Sequence, residues 1–313
     1  MPSLLRLRLS CLVGLVEQDQ RDEQNKPDQP VPSISLAAAL PMTTTRSRRV
    51  EPIPRQTPLV VALVPAAGRG LRMGGSVPKQ FLSLGGEPLI MQSLRMLQAA
   101  PVVDQIILAV PSADIGYCEH EIVSRHRFTK VMKVVAGGAE RQDSVRYALA
   151  QVPPDTDIVL IHDAVRPFVT QRMIDEVVAA ARKDGAAIIA LPMRDTVKQV
   201  RTDGMIERTV DRTLLWLAQT PQAFRRDWIE TAHRKAHAEG VRATDDAFLV
   251  EWLGYSVAVV EGSGENIKVT RPEDMVIGEA ILASRMKERG SGETSAKRAK
   301  GKSRLSRQSR SSR

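Results

Sequence analysis

Leu59-Val60-Val61-Ala62-Leu63-Val64-Pro65-Ala66-Ala67-Gly68-Arg69-Gly70-Leu71-Arg72-Met73 is the stretch on which the fold turns. Its first six residues are apolar without alternation and rich in Val and Leu. Such a run reads as a strand buried on both faces, the signature of a parallel sheet covered by helices. A loop of small residues and cations follows at once. It lacks the Lys-Ser/Thr ending of a P-loop and the GxGxxG spacing of a dinucleotide fingerprint.

Outward from this strand the chain alternates. Helical spacing covers Leu89 to Ala99, and strands are expected at Gln105 to Val110 and Met132 to Val135. A helix over Arg141 to Gln151, a strand over Ile158 to Ile161, a helix over Gln171 to Lys183 and a strand over Ala186 to Leu191 follow. This β-α-β series predicts an α/β, Rossmann-like, mainly parallel sheet with helices on both faces. The rhythm breaks between Arg194 and Thr220. There Thr202-Asp203-Gly204 separates Val197 to Val200 from Met205 to Val210, a hairpin signal. An inserted β-arm over about 194–220 is expected, either a dimer contact or a plain surface excursion. Helices over Arg226 to Glu239 and Asp245 to Leu253, a strand over Ser256 to Val260 and a helix after Arg271-Pro272 complete the domain.

The net charge of +9 is concentrated at one end. Ten Lys/Arg against two acidic residues between Lys287 and Arg313 supply +8 of it. The basic balance therefore describes a tail, and nucleic acid is not the expected partner of the folded domain. Residues 287–313, rich in Ser, Arg, Lys and Gly, carry too few apolar side chains to pack and are expected to be disordered, as are residues 1–57. The latter read as an extension or an upstream start, with Met42 an alternative start, and the domain as 58–286. No apolar run reaches membrane-spanning length. Two cysteines, Cys11 and Cys118, give no disulfide or zinc spacing. A cytoplasmic location is expected, or a plastid one if the extension is a transit peptide.

In the loop, Pro65, Ala66, Ala67 and Gly68 let a ligand approach the backbone, and Gly68 and Gly70 can turn amide N–H groups inward. A ring of such donors suits a polyphosphate. Arg72 and Lys79, the latter in Val77-Pro78-Lys79, add fixed positive charge where phosphoryl chemistry builds negative charge. An ordinary strand-to-helix turn with two surface cations is the bland alternative. Asp163 lies just past a buried strand, where open α/β sheets collect ligands, and is a carboxylate placed either to hold a metal or to cap a helix.

Pro65 to Met73 with Pro78-Lys79-Gln80 resembles the signature of the 2-C-methyl-D-erythritol 4-phosphate cytidylyltransferases. The resemblance continues in order through Gly137-Gly138-Ala139-Glu140-Arg141-Gln142-Asp143-Ser144-Val145, His162-Asp163-Ala164-Val165-Arg166-Pro167 and Arg194-Asp195-Thr196-Val197-Lys198. Thr209-Val210-Asp211-Arg212, Thr220-Pro221-Gln222, Thr244-Asp245-Asp246 and Asn266-Ile267-Lys268-Val269-Thr270 complete it. Each motif alone is weak; the ordered series over roughly Val60 to Glu279 is specific. It implies a nucleotidyltransferase, glycosyltransferase-A-like fold. No second enzyme domain is read after Met286, so a monofunctional member is expected.

The resemblance implies transfer of CMP from CTP to methylerythritol phosphate, with release of pyrophosphate, in non-mevalonate isoprenoid synthesis. It implies Arg72 and Lys79 at the α-phosphorus and Lys268 approaching from the other side. Asp163 would hold Mg²⁺ or another divalent cation. Gly137, Gly138, Arg141 and Ser144 would sit by the cytosine, although Ala139 stands where relatives often carry Asp. Arg212 and Thr196, on an arm crossing to a second subunit of a homodimer, would bind the polyol phosphate, with Arg166 and Thr220 as lesser candidates. His162 is expected to pack rather than act as a base, because a phosphate nucleophile is already ionised. Three rivals remain: a ribitol 5-phosphate or other polyol-phosphate cytidylyltransferase, a non-catalytic nucleotide- or RNA-associated protein, and a dehydrogenase, which would need the missing GxGxxG.

Overall fold

The computed structural model describes residues 59–68 and 77–287. Arg72, the 1–57 extension and the tail from residue 288 lie outside the described residues. Strand β1 (Leu59–Pro65) is an interior strand of a seven-stranded sheet. Tiny β2 (Ser83–Leu84) and β3 (Glu87–Pro88) pair with each other and lead into α1 (Leu89–Ala99). Then come β4 (Gln105–Val110), α2 (Ile115–Tyr117) running into a π-helical turn over Cys118–Ser124, β5 (Val131–Ala136) and α3 (Arg141–Leu149). The next units are β6 (Thr156–Ile161), α4 (Gln171–Asp184) and β7 (Ala186–Pro192). The arm is β8 (Val197–Val200) with β9 (Ile206–Val210). Last come β10 (Trp216–Arg225), α5 (Arg226–Glu239), α6 (Asp246–Trp252), β11 (Ala258–Glu261) and a helix α7 over 272–287.

The sheet order is β11-β7-β10-β6-β1-β4-β5, parallel except for β10, which runs antiparallel to both neighbours. The mainly parallel sheet thus stands as read, but the expected arm needs a correction. Its last residues, from Trp216, belong to a long strand in the main sheet, and only Val197 to Val210 form a separate hairpin. Gly204, at φ 85°, makes the turn that a β-carbon would strain.

β1 shows why its run lacks alternation. Val60, Ala62 and Val64 enter one core with Leu94 and Leu97 of α1 and Met173, Ile174 and Val177 of α4. Leu59, Val61 and Leu63 enter the other with Val145 of α3, Ile229 of α5 and Leu249 of α6. Both faces of the strand are dry, so every residue is apolar. A third, smaller cluster packs Leu84, Leu89, Phe168 and Val269 against Ile281 and Leu282 of α7. Parallel strands send their loops to one edge, and there the site residues meet.

Candidate functional site

Four loops leave the carboxyl ends of β1, β5, β6 and β11, and each is fastened to the sheet before it diverges. Ala66 N–H donates to Ala109 O at 2.7 Å, Gly137 N–H to Val110 O at 2.7 Å, and His162 N–H to Leu63 O at 2.9 Å. Gly262 N–H donates to Ala190 O at 2.8 Å, and Val269 N–H to Val165 O at 2.9 Å. These bonds extend the ladder outward, so the loop residues inherit the rigidity of the sheet.

The loops wall a cleft of about 430 Å³. Pro65, Ala66, Ala67 and Gly68 form one side with Lys79 and Gln80; Gly138 to Arg141 and Ser144 form a second; Asp163, Val165, Lys268 and Thr270 form a third. A β-carbon on Gly68 would lie 3.4 Å from Lys79 Cε, so the lysine stem lies over the small-residue loop. Gly137 has no room for a side chain: a β-carbon would collide with Ala67 and stand 2.8 Å from Ser144 Oγ. Ser144 is buried, its hydroxyl accepting Gly138 N–H and donating to Glu140 O, each at 3.1 Å. It shapes the 137–140 turn that faces the cleft.

Charge converges on Asp163. Its Oδ1 accepts from Arg141 Nε at 2.7 Å, and its Oδ2 from Lys268 Nζ at 2.7 Å. Burial alone would raise this carboxyl, but the two cations hold it far below the usual carboxylate range. It is an anion at any working pH. Arg141 also donates from Nη1 to Asp246 Oδ2 at 2.7 Å, and His233 Nε2 lies 3.0 Å from Asp246 Oδ1. A chain of polar contacts therefore runs from His233 on α5 through Asp246 on α6 and Arg141 on α3 to Asp163 in the cleft.

Beneath it, Asp163 N–H donates to Thr220 Oγ1 at 3.0 Å, and Thr220 Oγ1 is 3.1 Å from His162 Nδ1. His162 Nε2 faces Arg166 O at 3.1 Å. Burial lowers the imidazole to about 4, so it is neutral, with Nε2 donating and Nδ1 accepting. His162 therefore packs and orients, as expected, and is not placed as a base. Arg166 donates to Asn266 O at 2.8 Å, and Asn266 donates to Thr220 O at 2.9 Å.

The structure thus brings together Pro65 to Gly68, Lys79, Gly138, Arg141, Ser144, Asp163 and Lys268, with Gly137, Arg166 and Thr220 supporting them. It does not bring Arg212 or Thr196 to this cleft. Both are exposed on the arm, with Arg212 Nη1 bonded to Arg194 O. Sequence reasoning assigned no roles to Gln222, Asp245, Asp246, His233 and Asn266. Four of these stand in quoted motifs, but only the fold shows that α5 brings His233 to Asp246. Among the described residues no three His, Cys, Asp or Glu side chains group as a metal cage, and no helix is long and apolar enough to cross a membrane.

A cleft at the carboxyl ends of a mainly parallel sheet, with cations on both sides of one carboxylate, suits an anionic ligand, as in a nucleotidyltransferase. The family model described as IspD, 2-C-methyl-D-erythritol 4-phosphate cytidylyltransferase, matches residues 60–284, and the chain belongs to that family. It is 49% identical over 225 residues to the enzyme of that name from Syntrophus aciditrophicus, covering 72% of this chain and 96% of the relative. Its identity to that of Syntrophotalea carbinolica is 50% over 224 residues, 71% and 96% of the two chains. The crystal structure of 4-diphosphocytidyl-2C-methyl-D-erythritol synthase from Anaerococcus prevotii superposes with a TM-score of 0.65 at 30% identity, covering 72% of this chain and 96% of that one. The Thermus thermophilus cytidylyltransferase gives 0.59 at 34%, covering 71% and 98%.

Proposed function

We propose that the cleft binds CTP and that the chain transfers CMP from it to 2-C-methyl-D-erythritol 4-phosphate, releasing pyrophosphate and forming 4-diphosphocytidyl-2-C-methyl-D-erythritol. The observation that carries this reading is Asp163, fixed between Arg141 and Lys268 and facing the small-residue loop under Lys79.

A phosphate oxygen of the acceptor attacks the α-phosphorus, a new O–P bond forms, and the bond to the bridging oxygen breaks with its electron pair leaving on pyrophosphate. Both substrates are anions, so catalysis is alignment plus neutralisation of crowded charge. Lys79 and Lys268 supply positive charge from two walls of the cleft, and the resemblance assigns Arg72 to the same α-phosphoryl group. Gly137, Gly138, Arg141 and the turn shaped by Ser144 receive the cytosine. Asp163 fits one divalent cation, Mg²⁺ by preference. A single hard carboxylate oxygen is what such an ion takes from a protein when substrate phosphates provide the rest. Such an ion would neutralise phosphate charge there, while Lys268 and Arg141 face the substrates from their own walls of the cleft.

Arg212 and Thr196 receive the polyol phosphate only if the arm reaches a second copy of the chain. The exposed apolar side chains along and beside the arm, Val200, Met205, Ile206, Leu214 and Leu217, support such a homodimer. Arg166 and Thr220, the lesser candidates for the same phosphate, brace the cleft from behind through Asn266 and the Asp163 backbone. Pyrophosphate release with CTP, measured against methylerythritol phosphate and ribitol 5-phosphate in parallel, tests the assignment. Turnover is expected with the first; efficient use of ribitol phosphate alone overturns it.

A further inference from the structure

Asp246 and His233 take no part in the reaction just described and do not line the cleft. Both are buried, at 1% exposure each. A buried carboxylate is a poor stability device, since apolar replacements of buried ion pairs are often neutral or stabilising. What it does here is mechanical.

The start of α6 is tied down on two sides. Asp245 Oδ1 accepts Phe248 N–H at 3.0 Å, capping the helix, while its Oδ2 accepts the Gln222 amide at 2.9 Å. Gln222 Oε1 in turn accepts Ala247 N–H at 3.2 Å. Asp246 is thereby anchored to β10, and from α5 His233 Nε2 donates to its Oδ1. Only Oδ2 is left, and it takes Arg141 Nη1. Arg141 is then held at two points, Nε by Asp163 and Nη1 by Asp246, while Nη2 has no hydrogen-bond partner among the described residues. Two anchors on a planar group fix its plane as well as its position.

We propose that Asp246, held by His233, is a positioning residue that fixes the Arg141 guanidinium plane, so that CTP affinity depends on a carboxylate the nucleotide never touches. This rests on the reading of the cleft as the CTP site. The test is equilibrium binding of CTP with Mg²⁺ to the full chain, together with steady-state kinetics. Asp246→Asn should weaken CTP binding about tenfold, a charged hydrogen bond's worth of preorganisation. KM for CTP should rise by a similar factor, and kcat should change much less. His233→Ala, which loosens Asp246 from behind, should give a smaller loss in the same direction. In an Arg141→Ala background neither change should cost anything further, because both act through Arg141. Val250→Ala, a core change in the same helix, should lower thermal stability yet leave CTP affinity intact. The proposal is overturned if Asp246→Asn and His233→Ala bind CTP as the parent does. It is also overturned if their losses persist undiminished beside Arg141→Ala, or if Val250→Ala weakens binding equally. Parent-like CTP binding by Arg141→Ala would instead overturn the reading of the cleft, and this inference with it.

Discussion

At the scale of single residues, the site separates groups that act from groups that make room. Lys79 lies over Gly68, a point charge that strengthens its hold as negative charge crowds onto the α-phosphorus. Lys79→Ala should therefore lower kcat by about 10²-fold or more while CTP binding changes far less, as for a contact made mainly in the transition state. Comparable kcat in the variant sinks that role. Gly137 acts by absence. Gly137→Ala should displace Ala67 and the Ser144 hydroxyl, raising KM for CTP, while Gly204→Ala in the arm turn should leave that KM alone. Cys118 is neither. Burial pushes its thiol up to about 12, and it is fully enclosed. At pH 8 it should resist alkylation in the native chain and react once urea is added, which site-resolved mass spectrometry can follow.

At the scale of elements, β10 is where the sequence was least readable. Trp-Leu-Ala-Gln-Thr-Pro-Gln-Ala-Phe-Arg carries a proline, three uncharged polar side chains and a terminal arginine, which argues against a central strand. The structure accommodates them because the β10–β7 register shifts between Ala218 and Gln222, where the ladder is interrupted. Gln219, Thr220 and Gln222 can be buried because Asn266, His162, Asp245 and the backbone of Asp163 and Ala247 pair with them. Local pattern shows apolar runs; it does not show a polar run whose partners lie tens of residues away. β1, β4, β6 and β7 were legible for the opposite reason, since two dry faces force a continuous apolar string. Small residues and fixed cations marked the loop chemistry, whereas the ties among Arg141, Asp163 and Lys268 required the fold. The arm yields its own prediction. Lys79→Ala and Arg212→Ala chains, each inactive alone, should regain part of the activity when mixed, if each site takes Arg212 from a second copy. No recovery after subunit exchange, verified by mass, would place Arg212 in its own chain's site or outside any site.

At the scale of the whole molecule, charge and function occupy different parts of the chain. The family match spans 60–284, and every described site residue lies inside it. The strongly basic balance is carried from Lys287 onward, leaving the rest near neutrality. A protein that worked by holding nucleic acid would depend on that tail, since phosphate contacts by Lys and Arg supply most non-specific affinity and make it fall steeply with salt. A cytidylyltransferase whose cations are Lys79, Arg141 and Lys268 would not. A chain trimmed to residues 58–287 should therefore keep kcat and KM for CTP within about twofold of the full chain at physiological salt, the screening length there being about 8 Å. Raising the salt should weaken CTP binding equally in both forms, because the charges that matter are the same ones. A trimmed chain that folds by circular dichroism yet loses cytidylyl transfer would move part of the site into the removed segments.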